Sequence, residues 1–348
     1  MKIPKLFLLV ISSLTLSGLA FAVVRSHPAT SGTGSNGYRV TKTIAVGGDE
    51  GWDYVAVDSA ARHVYVSHGT HVVVLDADSG AVAGDIPDTQ GVHGIAIASD
   101  LGRGFTSNGR ANTVTIFDLK TLRTLGSVKA GTNPDAIVYD QQTKRVFTMN
   151  GRSQDTTAID AADGTVAGTL ALGGKPEFAV ADGQGSIFVN IEDKSELVQF
   201  DPQKLTVLNR WPLAPCEEPS GLAMDRKSRR LFAGCGNKMM AILNADTGKI
   251  VATPAIGDGV DANAFDPETN FAFASNGEGT ITVVHEDSAD KYSVVETVPT
   301  KKSARTMGLD LKTHNIFLPA ADFDAPAPGE RRGKIKPGSF VVLFASSN

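Results

Sequence analysis

Seven residues able to do chemistry stand at near-constant intervals along this chain. They are Asp53, His93, Asp135, Glu177, Ser220, Asp261 and Arg305, separated by 40, 42, 42, 43, 41 and 44 residues. Gathered at one place, their four carboxylates would raise one another's pKa values and attract a metal ion, another cation or a hydrogen-bond donor. Left solvated, the same set would be the polar lining of a water-filled channel. His68 belongs to a second recurring position. His68, His93 and Asp53 make a reasonable ligand set for Zn²⁺ or Cu²⁺ and equally a group for acid–base work, with His71 as a third nitrogen donor. Surface histidines bonded to water or backbone are the alternative. Trp52, beside Asp53, can stack a ligand or pack between neighbouring elements.

The intervals reflect a repeat. The stretch Val146-Phe147-Thr148-Met149-Asn150-Gly151 has close variants at Val64 to Gly69, Gly104 to Gly109, Leu231 to Gly236 and Ala272 to Gly277. Each is an apolar run carrying one aromatic residue, ending in a small polar residue and glycine, the pattern of a strand entering a turn. The acidic residue closing the strand before it recurs as Asp58, Asp140, Asp182, Asp225, Asp266 and Asp310, with Ala98 in the second copy. In that second unit four short strands can be drawn, at Gly94 to Ala98, Gly104 to Ser107, Thr113 to Asp118 and Leu125 to Lys129. Turns follow the third strand at Asp76 to Gly80, Asp160 to Gly164 and Asn244 to Gly248, where Asp or Asn bonds backbone N–H groups and Gly accepts φ > 0. Four strands in each of seven units predict an all-β, seven-bladed β-propeller. The last unit stops one strand short, and Tyr38 to Val46 is an unassigned alternating segment. It is expected to close blade seven as its outer strand.

The Tyr65-Val66-Ser67-His68-Gly69, Phe105-Thr106-Ser107-Asn108-Gly109 and Phe273-Ala274-Ser275-Asn276-Gly277 strands, with the Asp-x-x-Thr/Ser-Gly turns, resemble the extracytoplasmic YncE-like family of YVTN-repeat propellers over roughly residues 38 to 345. The resemblance implies a seven-bladed fold on a general-purpose scaffold and leaves activity open. More distantly the architecture is similar to haem d1-associated and lactonase-like propellers, with no extended motif to carry catalytic residues over.

In a propeller, the loop entering the innermost strand and the loop leaving the second strand open on one face. The first ring at that mouth should be Asp53 to Arg305. The second should be His68, Asn108, Asn150, Ile191, Cys235, Asn276 and Ala320, its asparagines supporting Asn-Gly turns. Cys216 and Cys235 fall at the same mouth of blade five, so a disulfide is expected, with a redox or soft-metal thiol pair as the alternative. Residues 320–338 interrupt blade seven with Pro326, Pro328, Pro337 and the cluster Arg331, Arg332, Lys334, Lys336. Such a loop reads as a lid or docking arm over the mouth, or as a plain surface excursion.

Lys2 and Lys5 precede the apolar run Leu6 to Leu19 and the small residues of Ala20-Phe21-Ala22. Residues 1–22 are expected to be a cleaved secretory signal rather than an anchor, 23–37 a flexible leader and 38–348 one propeller domain. The chain is then periplasmic or secreted, without a membrane span once cleaved, and monomeric. Losing those two lysines leaves 31 basic against 38 acidic residues, a formal charge of −7. That balance disfavours nucleic acid, unless Arg305 and the Arg331–Lys336 cluster form a local patch. The sequence has no G-x-S-x-G elbow, phosphate-binding glycine loop, H-E-x-x-H or C-x-x-C-H. The leading expectation is a binding scaffold that takes a small ligand or protein partner over a mouth lined by Trp52, Asp53, His93, Asp135, Glu177, Ser220, Asp261 and Arg305. The alternative is a metal-binding or enzymatic propeller, an oxidoreductase or lactonase-like hydrolase, using His68, His93 and Asp53 with Zn or Cu.

Overall fold

Short apolar–polar alternations that end in Asp, Asn or Gly fold here into strands and tight turns. In a computed structural model, which describes Met1, residues 37–327, Gly329 and residues 333–347, the strands form seven four-stranded antiparallel sheets. The expected signal beyond Met1, the leader before Gly37, and Pro328, Arg331 and Arg332 of the blade-seven insert lie outside the described residues.

The first strands of blades one to seven are Trp52–Asp58, Val92–Ala98, Pro134–Asp140, Pro176–Ala181, Pro219–Asp225, Val260–Asp266 and Gly308–Leu309. Each first strand touches its counterparts in both neighbouring blades, and that of blade seven touches that of blade one, so the circle is complete. The second strands are His63–His68, Arg103–Asn108, Arg145–Asn150, Ile187–Ile191, Arg230–Cys235, Phe271–Asn276 and Ile316–Ala320. Arg39–Ala45 pairs antiparallel with Val341–Ser346, so the N-terminal strand closes the last blade as its pattern predicts.

The core lies between blades. Each second strand contributes a fully buried aromatic residue: Tyr65, Phe105, Phe147, Phe188, Phe232, Phe273 and Phe317. Burying such a side chain is worth about 1.5–3 kcal/mol, so the aromatic that marks each repeat is also a principal source of blade-to-blade adhesion. At the far end of the first strands the recurring acids cap turns: Asp58 Oδ1 accepts from Ala60 and Ala61 N–H, and Asp140 Oδ2 from Thr143 N–H. Blade two, with Ala98 there, instead makes a 3₁₀ turn at Ser99–Leu101, ended by Gly102 in the left-handed region.

Blade seven differs from the other blades in its first strand, Gly308–Leu309, which is two residues long. Bonds to the neighbouring blades hold this segment: Thr306 Oγ1 donates to Asp53 O, and Arg305 O accepts from Ser275 Oγ at 2.6 Å.

Candidate functional site

The innermost strands are not regular. In blades one to six their pairing slips between Trp52 and Val55, Val92 and Ile95, Pro134 and Ile137, Pro176 and Ala179, Pro219 and Leu222, and Val260 and Ala262. The ring residues Asp53, His93, Asp135, Glu177, Ser220 and Asp261 sit inside these bulges. A bulge re-aims side chains away from the pleat, and here it turns one functional residue per blade towards the axis.

Polar residues of the repeat pin the bulges. Ser67 Oγ accepts from Asp53 N–H at 2.9 Å, and Ser107 Oγ accepts from Gly94 N–H at 2.8 Å while donating to Asp135 O in the next blade. Asn190 Nδ2 donates to Ser220 O at 2.9 Å and Gly221 O at 3.1 Å. Blades two and four thus each fix the ring residue of the next blade.

All seven expected ring residues converge. His93 Nδ1 lies 2.6 Å from Asp53 Oδ2 and 3.8 Å from Asp135 Oδ1. Arg305 Nη1 lies 2.7 Å from Asp261 Oδ2, and its Nη2 lies 3.4 Å from Asp53 Oδ1. Ser220 Oγ donates to Asp261 Oδ1 at 2.8 Å, and Lys175 Nζ sits 2.7 Å from Glu177 Oε1. Asp53, His93 and Asp135 bring one ligand atom each within 4.8 Å of one another, the single such grouping among the described residues.

Crowding of like charge in a half-buried cup moves their titrations. Burial, reinforced by Asp135, pushes Glu177 up to about 8 although Lys175 opposes it. Burial and Asp53 push Asp135 up to about 6. Burial also raises Asp261, against the pull of Arg305. For His93, burial works against the charged form, but the Asp53 hydrogen bond and the charges of Asp135, Asp53 and Glu177 outweigh it and raise the imidazole to about 9.

The floor of the cup was not visible in the ring arithmetic. Tyr54 of blade one stacks on Phe178 of blade four with ring centroids 4.4 Å apart. Those blades face one another across the ring, so the pair spans the channel and makes the cup blind. The Tyr54 hydroxyl is buried and has no hydrogen-bond partner among the described residues. Burial, then Asp135, Glu177, Asp53 and Asp261, raises its pKa well above the ordinary phenol value. Tyr54 and Phe178 each follow a ring residue within its bulge, and that position is the sequence signal for them. The acidic cavity, about 310 Å³, is lined by Asp53, Tyr54, Asp135, Glu177, Asp261 and Arg305 among others.

The second expected ring does not form at the mouth. His68, Asn108, Asn150, Ile191, Cys235, Asn276 and Ala320 are all buried within the sheets. The asparagines bridge strands instead of serving turns: Asn108 Nδ2 donates to Thr115 Oγ1 at 2.8 Å and Asn150 Nδ2 to Thr157 Oγ1 at 3.0 Å. His68 stacks on Phe340 at 4.3 Å, with its Nδ1 3.3 Å from His71 Nε2. Burial, then His71, lowers His68 to about 4. The structure does not bring His68 to His93 and Asp53; Asp135 takes the third place. Trp52 is packed against Phe340 and Phe323, at 5.3 and 5.9 Å, so its rings serve the blade-one and blade-seven core while also bordering the mouth.

Cys216 and Cys235 are joined by a disulfide. The described part of the insert folds back on itself, with Phe323 bridged to Ile335 and Lys336 N–H donating to Asp322 O at 2.9 Å. None of its described residues lines the acidic cavity. No helix among the described residues is long and apolar enough to cross a membrane.

Fold and cup together define a seven-bladed propeller with a blind, charge-lined mouth. The chain superposes on U3-55K with a TM-score of 0.74 at 10% identity, covering 88% of this chain and 99% of that one. For the WD40 repeats of RRP9 the values are 0.73, 10%, 88% and 96%. For hydrazine synthase from Kuenenia stuttgartiensis they are 0.68, 13%, 78% and 92%. At such identities the likeness establishes the fold alone. No protein-family description and no curated protein matches the sequence.

Proposed function

We propose that this protein is an exported binding scaffold of the YncE-like, YVTN-repeat kind, whose mouth recognises a cationic, donor-rich small ligand or protein side chain. The observation that carries this reading is the Tyr54 hydroxyl, buried without a partner beneath the carboxylates of Asp53, Asp135, Glu177 and Asp261. An unsatisfied buried hydroxyl costs about 1–3 kcal/mol. A donor-rich cation in the cup would neutralise the carboxylates that crowd it. Export is supported by the N-terminal Lys-flanked apolar run and by the disulfide.

A divalent metal ion is the second reading, favoured by the convergence of Asp53, His93 and Asp135. Those three residues would hold it, and the ion would supply Lewis acidity at the mouth. Beside it Glu177, raised to about 8, would hold or release a proton, and Lys175 would stay charged.

The test is calorimetric titration of the secreted, chelator-free protein with putrescine and, separately, with Zn²⁺. Saturable binding of either probe, lost in Asp135→Asn and weakened in Tyr54→Phe, supports the mouth as the site. Absence of binding by both, or binding indifferent to Asp135, overturns it.

A further inference from the structure

The cup has a neighbour of opposite character. A cavity of about 460 Å³ opens over blades one to three, bordered by Trp52, Asp53, His93, Arg110, Arg152 and Arg305 among others. Its charged lining consists of His93 and three arginines against one carboxylate, Asp53. The acidic cavity alongside, which shares Asp53 and Arg305, has six carboxylates against Lys175 and Arg305. The mouth is therefore polarised, negative over the axis and positive over blades one to three.

Arg110 and Arg152 occupy equivalent places. Each follows the Asn-Gly that ends a second strand, in Asn108-Gly109-Arg110 and Asn150-Gly151-Arg152, 42 residues apart. Both are exposed, and neither guanidinium has an ion-pair or hydrogen-bond partner among the described residues. By contrast Arg62, Arg210, Arg229, Arg230 and Arg305 are each committed to a carboxylate. Glycines let these turns crowd the cavity. A Cβ on Gly91 would fall 2.8 Å from Arg110 N, and one on Gly109 would fall 2.7 Å from the His93 ring. Gly91 also has φ +68, in the left-handed region, so the approach of the Arg110 turn depends on glycine there.

We propose that this cavity is an anion subsite that takes a small organic dianion, a dicarboxylate or phosphate monoester, clasped between Arg110 and Arg152. A planar guanidinium presents a fork of N–H donors that matches carboxylate and phosphate oxygens bidentately, and two unpaired forks bordering one cavity suit two anionic groups or one doubly charged group. The cavity's size is that of a small-molecule site. Its cations are confined to a concavity on an otherwise acidic protein, whereas a polymer of phosphodiesters calls for a basic stripe. The inference rests on the reading that the mouth is the ligand-binding face.

Succinate and glycerol 3-phosphate are the probes, titrated calorimetrically into the full chain and into Arg110→Gln, Arg152→Gln, the double variant and Arg123→Gln. Arg123 is exposed on the turn after the third strand of blade two, at the opposite end of that blade, and controls for net charge. The expected result is saturable binding of at least one dianion, weakened about tenfold by either single variant, lost in the double and unchanged in Arg123→Gln. Arg152→Lys should recover part of the affinity, since it restores charge without the fork. Three results overturn the proposal: no dianion binding, binding indifferent to Arg110 and Arg152, or a single-stranded oligonucleotide that displaces both dianions at equal phosphate concentration. If the dianions fail while putrescine or Zn²⁺ still binds, only the anion subsite falls. If every probe fails, the reading of the mouth falls with it.

Discussion

His93 of blade two and Asp53 of blade one meet at 2.6 Å across the blade boundary, while the other Asp53 oxygen faces Arg305 of blade seven. One carboxylate is thus shared between two cations, and that sharing ties the first and last blades together at the mouth. It also sets the competition that any metal ion must win, because the imidazole nitrogen facing Asp53 holds its proton up to about 9.

Zn²⁺ affinity is therefore expected to rise with pH. Binding through His93 displaces a proton, so the Kd should fall by up to about tenfold per pH unit between pH 7 and pH 8.5. Calorimetry in several non-coordinating buffers measures both the affinity and the released proton. His93→Ala should abolish binding and His68→Ala should leave it. A pH-independent Kd excludes the His93 site.

Folding stability should decline as the solution becomes alkaline. Glu177, Asp135 and His93 all keep protons in the folded state that the unfolded chain releases, their values being raised to about 8, about 6 and about 9. Their contribution is present at low pH and is lost between about pH 3.8 and about pH 9. His68, lowered to about 4, acts oppositely and adds stability as pH rises towards 6.5. The net expectation is a fall above pH 6.5 of at most about 5 kcal/mol by about pH 9, read from urea midpoints, with a shallower slope in Glu177→Gln. Stability that increases from pH 7 to pH 9 would contradict these assignments.

Tyr54→Phe separates stability from function. Removing an unpartnered buried hydroxyl should leave the protein equally stable or raise its stability by about 1 kcal/mol, whereas putrescine binding should weaken. A destabilised Tyr54→Phe protein would mean that the hydroxyl has a bonding partner within the fold.

The Cys216–Cys235 bond closes a span of 19 residues. Its loss in a Cys216→Ala/Cys235→Ala variant should lower unfolding free energy by about 3 kcal/mol. The intact mass of the wild type should fall by about two daltons relative to the reduced chain, as two protons leave.

The blade count, the closing strand, the disulfide and the members of the inner ring were legible because a repeat of 40 to 44 residues sets their places along the chain. The aromatic of each second strand and the acid of each first-strand end are constrained by packing and turn chemistry, which act locally. What escaped was set by side-chain direction. Ser107 looks like a strand residue, yet its hydroxyl serves the backbone of the neighbouring blade. His68 occupies a recurring place at the end of a strand, yet burial beside Phe340 withdraws it from the mouth. Tyr54, Phe178, Arg110 and Arg152 lie one or two residues beyond positions that the spacing had marked, and only the bulges and turns decide where such residues aim.

Pairing of Arg39–Ala45 with Val341–Ser346 imposes a schedule on assembly. A chain delivered from its N-terminus can lay down blades one to six in turn, but Arg39–Ala45 has no neighbour until Val341–Ser346 arrives. The protein must therefore carry an exposed, unmated edge through almost the whole of its synthesis, and the polar pattern of Arg39, Thr41, Lys42 and Thr43 keeps that edge from finding another chain first.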